Sequence, residues 1–181
     1  AMFKDSNEVN ELKEGDKAIL ILDKSPFYAE SGGQVGDSGY IKTKDAKFYV
    51  QDTIKIKKTV FGHIGVLETG SLKCNEQVEA SIDEHRRDDI KRNHSVTHLL
   101  HKALKIVLGD HVEQKGSLVD NLKTRFDFSH TKPISNDEIN QIESIVNNEI
   151  LTNKVTATKM MSIDKAKESG ALMLFGEKYD S

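Results

Sequence analysis

The chain has 181 residues, 36% hydrophobic and 30% charged, with a formal net charge of −3. This is the composition of a soluble globular protein with room for one domain or two small ones, and no apolar run approaches the roughly 18 residues of a membrane helix. The negative balance excludes a globally basic nucleic-acid binder, so any RNA contact must come from a local patch; the single cysteine, Cys74, excludes an intramolecular disulfide and fits a reducing cytoplasm.

The start, Ala1-Met2-Phe3-Lys4-Asp5, has no apolar core of a signal peptide, and Ala1 ahead of Met2 reads as a cloning remnant. Lys17 to Leu22 is a short apolar run closed by Asp23 and Pro26, as a buried strand would be. Ser31 to Gly39 holds four glycines with Asp and Ser and predicts a long turn. Phe48, Val50, Ile54 and Ile56 alternate with polar residues, Val60 to Leu67 is a further strand, and Val78, Ala80 and Ile82 alternate strictly. Five or six short strands with glycine turns predict a small barrel or curled sheet.

Near residue 84 the period changes. Val96, Leu99, Leu100, Ala103 and Val107 recur at helical spacing before Gly109, which predicts one helix from Glu84 to Leu108. Two strands follow, roughly His111 to Val119 and Leu122 to Phe128. Ser135 with Glu138 forms a capping box that opens a second helix carrying Ile139, Ile142, Ile145, Val146 and Ile150. Lys154 to Met161 reads as a strand, and Ser162 to Ser169 as a short helix ended by Gly170. The predicted class is α+β, with a β-barrel subdomain over 1–84 and an α+β domain over 85–181.

The first helix carries the clearest chemical signal. His94 and His98 stand four residues apart, so both imidazoles share one helix face and can grip a single metal ion. At about 100° per residue, His98 and His101 fall within roughly 40° of His94, while the aliphatic stripe spans roughly 140–240°. The histidines therefore point away from that stripe, as either a solvated polar face or half of a metal site. Lys91 and Lys105 share the face and make it basic. His101 lies two turns from His94, about 10 Å along the axis, too far to join the same ion. Ser95 stands where a zinc protease has its general-base Glu, which excludes that class. Cys74 has no neighbour that would activate it, the Ser31 to Asp37 run lacks the Gly-Lys-Ser/Thr of a phosphate loop, and spacing supports no nucleophile–base pair.

Four segments, in this order, resemble alanyl-tRNA synthetases: Ser25-Pro26-Phe27-Tyr28-Ala29-Glu30-Ser31-Gly32-Gly33-Gln34, Arg92 to Leu104, Val112-Glu113-Gln114-Lys115-Gly116-Ser117-Leu118-Val119, and Gly170 to Tyr179 ending Leu174-Phe175-Gly176-Glu177-Lys178-Tyr179. The part resembled is the editing region. The resemblance implies a β-barrel followed by a helix laid across a curled antiparallel sheet. It also implies hydrolysis of tRNA(Ala) mischarged with serine or glycine. In the family one zinc is held by a His-x-x-x-His pair, matched by His94 and His98, and by a Cys-x-x-x-His pair expected beyond Ser181. This leaves a half-site, for which weak zinc binding and little activity of the segment alone are expected. Gln114 matches a glutamine lining the editing pocket, and Gly32, Gly33 and Gln34 match a glycine loop facing it. Lys91, Lys105 and Arg125 are expected to meet tRNA phosphates. The implied partners are the tRNA(Ala) acceptor end and the remaining domains of a cytoplasmic parent enzyme, whose ATP- and Mg-dependent charging of tRNA(Ala) with alanine has no motif in these residues. Two alternatives stay open: a module that only grips RNA through the basic histidine face, and a free-standing editing protein.

Overall fold

A computed structural model describes residues 1–155, 157 and 159–170. They form two compact units: Ala1–Arg92 with Val119–Lys123, and Asn93–Leu118 with the described residues from Thr124 onward. The architecture is α+β, and no helix among the described residues is long and apolar enough to cross a membrane.

The first unit contains β1 (Met2–Lys4), β2 (Asn7–Glu8), β3 (Glu11–Lys13), β4 (Lys17–Leu20), β5 (Gly39–Lys42), β6 (Lys47–Lys57), β7 (Val60–Thr69), β8 (Ser71–Lys73) and β9 (Glu79–Ile82). Seven of them make one sheet in the order β2-β1-β4-β7-β6-β5-β9, and β3 pairs with β8 separately. The pairs are antiparallel, with Val50 opposite Gly65 and Ile41 opposite Phe48. Alternation along each strand sends Leu20, Ile41, Phe48, Val50 and Leu67 to one face, where they pack with Leu12, Phe27 and Leu72. Register shifts in β6 against β7 curl the sheet. Among the described residues no strand pairing that closes the expected barrel is found: β2 and β9 stand at the two ends of the strand order. With only two residues, β2 offers too short a ladder to complete a ring, and β9 leads directly into the first helix.

That helix, α1 (Glu84–Leu108), spans the residues predicted for it, and Asp83 caps it by accepting the Arg86 backbone N–H at 3.0 Å. In the second unit its later turns pack with β10 (Gln114–Val119), β11 (Thr124–Phe128) and α2 (Asn136–Leu151) around Ala103, Leu104, Val112, Ile142 and Val146. The Ser135–Glu138 capping box is formed: Ser135 Oγ accepts the Glu138 N–H, and the Glu138 carboxylate accepts the Ser135 N–H at 2.8 Å. Described residues within 154–161 form no strand, contrary to the reading of that stretch; Val155 and Met160 stand in the open, so no apolar face holds them to a sheet. α3 (Ile163–Glu168) follows, capped by Ser162. The Leu174 to Tyr179 segment lies outside the described residues.

Candidate functional site

His94, His98, Lys105, Gln114 and Arg125 belong to the second unit; Gly32, Gly33, Gln34 and Lys91 belong to the first. Helical spacing brings His94 and His98 together, with near-parallel rings (13°) whose centroids are 5.1 Å apart. Tetrahedral zinc held by two imidazoles at about 2.0–2.1 Å sets ring centroids about 5 Å apart, a spacing this pair has. Among the described residues, no group of three or more His, Cys, Asp or Glu is placed to hold a metal.

His101 is not on the exposed face predicted for it. It is 4% exposed, with its ring 5.1 Å from that of Phe126. The aliphatic stripe taken from the sequence omitted Thr97 and Leu104, which are also buried and shift the covered face of α1 toward His101. Thr97 is bound there: its hydroxyl donates to the Asn93 carbonyl (2.9 Å) and lies 2.6 Å from the Thr124 hydroxyl. Neither ring nitrogen of His101 has a hydrogen-bond partner of ordinary geometry among the described residues, and neither does Gln114 Oε1, which is also buried. Burial pushes the His101 pKa down, and the Lys105 charge adds to this; the Val112 carbonyl opposes it. An unpaired buried polar group costs about 1–3 kcal/mol, and His130 Nε2 is a further such atom among the described residues of this unit.

In the first unit, Gly32 and Gly33 both take positive φ (60° and 82°), which turns the chain so that Ser31 and Gln34 exchange backbone hydrogen bonds of 3.2 and 3.0 Å. The loop is fastened to Val119, whose N–H donates to the Gly33 carbonyl (2.8 Å) and whose carbonyl accepts from Val35 (3.1 Å). Gln34 itself is buried. Behind it, Gly36 passes so close to β6 that an added Cβ would lie 2.2 Å from the Thr53 carbonyl oxygen. Asp37, 2% exposed, accepts the Tyr28 N–H at 2.6 Å and forms a bidentate pair with Arg87 of α1, whose pKa this raises. Arg86 donates to the Gly36 carbonyl at 2.8 Å. Sequence reasoning missed this clamp because Asp37 and Arg87 lie 50 residues apart, with no motif joining them.

The same is true of Ser25 and His63, a serine–histidine contact of 2.7 Å that spacing did not reveal. A carbonyl only accepts, so His63 Nδ1–H donates to Leu20 (2.9 Å) and Nε2 accepts the Ser25 hydroxyl. Ser25 Oγ also accepts the Phe27 N–H at 3.1 Å. The buried imidazole thereby pins the Ser25–Phe27 turn to the sheet. The expected phosphate-binding cations are exposed or half-buried: Lys91 pairs with Asp88 (3.0 Å), Arg125 with Asp127 (3.2 Å), and the Lys105 charge acts on His101 and Glu113. Such surface pairs hold by only about 0–1 kcal/mol.

Residues 1–86 match the family of class II tRNA synthetases (A). Over 99% of its length the chain is 56% identical to an alanine–tRNA ligase of Delftia acidovorans, 55% to one of Polynucleobacter asymbioticus and 56% to one of Methylobacillus flagellatus. It spans 20% of the length of each of these relatives. Nearly the whole chain is thus similar to a stretch that makes up about a fifth of these alanine–tRNA ligases.

Proposed function

We propose that this segment proofreads within an alanine–tRNA ligase by hydrolysing the ester of tRNA(Ala) mischarged with serine or glycine. Selection needs such a step: a pocket that admits alanine excludes larger side chains but discriminates poorly against glycine and serine, which differ by one small group. The observation that carries the reading is the second unit's polar set. His94 and His98 sit at metal-chelating spacing on α1, and the same unit holds the half-buried Gln114, whose amide oxygen is buried. His94 and His98, with donors beyond the described residues, would hold a zinc ion that lends positive charge to the reacting ester end. Gln114 presents amide N–H groups to the ester carbonyl, where negative charge grows during attack by water. The glycine turn at Gly32, Gly33 and Gln34 offers backbone to the terminal adenosine, and Lys91, Lys105 and Arg125 meet backbone phosphates. The whole enzyme's charging of tRNA(Ala) with alanine at the cost of ATP and Mg, in the cytoplasm, belongs to this same reading.

The test is accumulation of Ser-tRNA(Ala) by a ligase carrying this segment. His98→Ala should let mischarged product build up while alanine charging proceeds at the wild-type rate. Equal accumulation by both proteins would defeat the proposal, and loss of alanine charging alone would move the residue to the synthetic reaction.

A further inference from the structure

The β6–β7 hairpin runs on past the strands that flank it. Among the described residues, β5 pairs with β6 only as far as Val50, and β4 with β7 only as far as His63. Residues 54–62 then pair only with each other, as a two-stranded arm that turns at Lys58 and Thr59. A lone two-stranded ribbon is marginal in water, so it needs an anchor. Ile56 supplies one: an added Cβ at Gly62 would lie 2.9 Å from the side chains of both Ile56 and Ile19, so the glycine leaves room for Ile56 to fold back toward the sheet. The arm carries Lys55, Lys57 and Lys58, and no Asp or Glu lies between Asp52 and Glu68, in a chain of net charge −3. All three lysines are exposed, and none has an ion pair among the described residues, whereas Lys47 at the other end of β6 holds Glu68 at 2.9 Å. Lys55 Nζ donates instead to Ser31 Oγ at 3.2 Å. Ser31 opens the glycine turn, whose Gly32 is exposed. Lysines on an unpaired ribbon also keep it from pairing edge to edge with another chain, but that role gives no reason for a lysine head at this turn.

We propose that the β6–β7 arm is an RNA-backbone contact, in which Lys55, Lys57 and Lys58 meet phosphates of the strand whose end lies at the glycine turn. An ammonium head has three donors on a flexible stem, so Lys55 can exchange the Ser31 hydroxyl for a phosphate oxygen while the backbone stays in place. Contacts of this kind fix register and orientation and read no base. The proposal takes its partner, the tRNA(Ala) acceptor end, from the proofreading reading.

The experiment is the salt dependence of tRNA(Ala) binding by a ligase carrying this segment. Each lysine on a phosphate adds about 0.7–0.9 to the slope of log K against log salt, so the triple variant Lys55→Gln, Lys57→Gln, Lys58→Gln should have a slope shallower by about 2 to 3. Its Kd should rise about tenfold or more at about 0.1 M salt. Exposed lysines away from packed contacts tolerate such changes, so the fold is kept. The matching triple change to Arg keeps the charge and should keep the slope. Lys42→Gln with Lys44→Gln removes charge at the opposite end of β6 and should change the slope by less than about 1. An unchanged slope in the glutamine triple variant, a loss in the arginine variant, or an equal loss per charge in the Lys42 and Lys44 control would overturn the role of the arm. Binding is read apart from hydrolysis, so the two readings fail separately: a wild-type ligase that shows the arm's salt slope but releases no serine from Ser-tRNA(Ala) would overturn proofreading alone.

Discussion

Removing Arg87 should destabilise the first unit far more than removing its exposed neighbour Arg92. Asp37 is buried and accepts Arg87 Nε at 2.8 and 3.0 Å, together with a second guanidinium nitrogen and the Tyr28 N–H. Arg87→Leu leaves that carboxylate with one backbone donor and frees the Pro26 carbonyl, which Arg87 also binds at 3.2 Å. Breaking one side of a buried ion pair costs about 3–5 kcal/mol. The Arg87 side chain is 26% exposed, so water can partly replace it, which places the loss at the lower end, about 3 kcal/mol. Arg92→Ala removes only an exposed pair with Asp89 on the preceding turn, worth under about 0.5 kcal/mol. Tyr28, Tyr40 and Tyr49 lie in the first unit and the chain has no tryptophan, so tyrosine emission during urea unfolding reports chiefly on that unit. With a slope of about 1–3 kcal/mol per molar urea, Arg87→Leu should lower the midpoint by about 1 M or more. A midpoint no lower than that of Arg92→Ala would show that the clamp stabilises nothing.

Burial holds the His63 pKa below the ordinary imidazole value of 6.5, with the Leu20 carbonyl opposing. The unfolded chain therefore takes up this proton first: stability is full above about pH 6.5 and falls as pH drops through that value, and His63→Leu should remove this part of the slope in urea midpoints measured from pH 7.5 to 5.5. Ser135→Ala breaks the capping box and should cost the second unit about 1 kcal/mol, read as faster amide exchange in α2; unchanged exchange would show the cap to be idle. Zinc titrated into this chain should bind weakly and lose its heat signal in His98→Ala, whereas tight stoichiometric binding that survives the substitution would place the metal elsewhere.

The elements legible in the sequence are those with local causes. The period change at residue 84, the capping box at Ser135 and the alternation of Val78, Ala80 and Ile82 each act within a few residues, and α1, α2 and β9 stand where they point. The alternation of Phe48, Val50, Ile54 and Ile56 falls within the single long β6, whose register shifts against β7 break the period after Val50. The opening strands Met2–Lys13 carry few apolar residues and are held by pairing with β4 and β8, which no local pattern encodes. For the candidate site, His94 and His98 were legible because one helical turn brings them together. His101 was misjudged because Thr97, a polar residue, belongs to the buried face and was not counted in it. Asp37 with Arg87, and Ser25 with His63, meet only through tertiary folding.

The most direct measurement is single-turnover hydrolysis of Ser-tRNA(Ala) by a ligase carrying this segment, wild type beside Gln114→Ala, with tRNA affinity determined on the same samples. Loss of one donor at a developing oxyanion predicts a rate about 10²- to 10³-fold lower with Kd for tRNA unchanged. A Gln114→Ala protein that clears serine at the wild-type rate, or whose slower clearance is matched by weaker tRNA binding, would contradict the account.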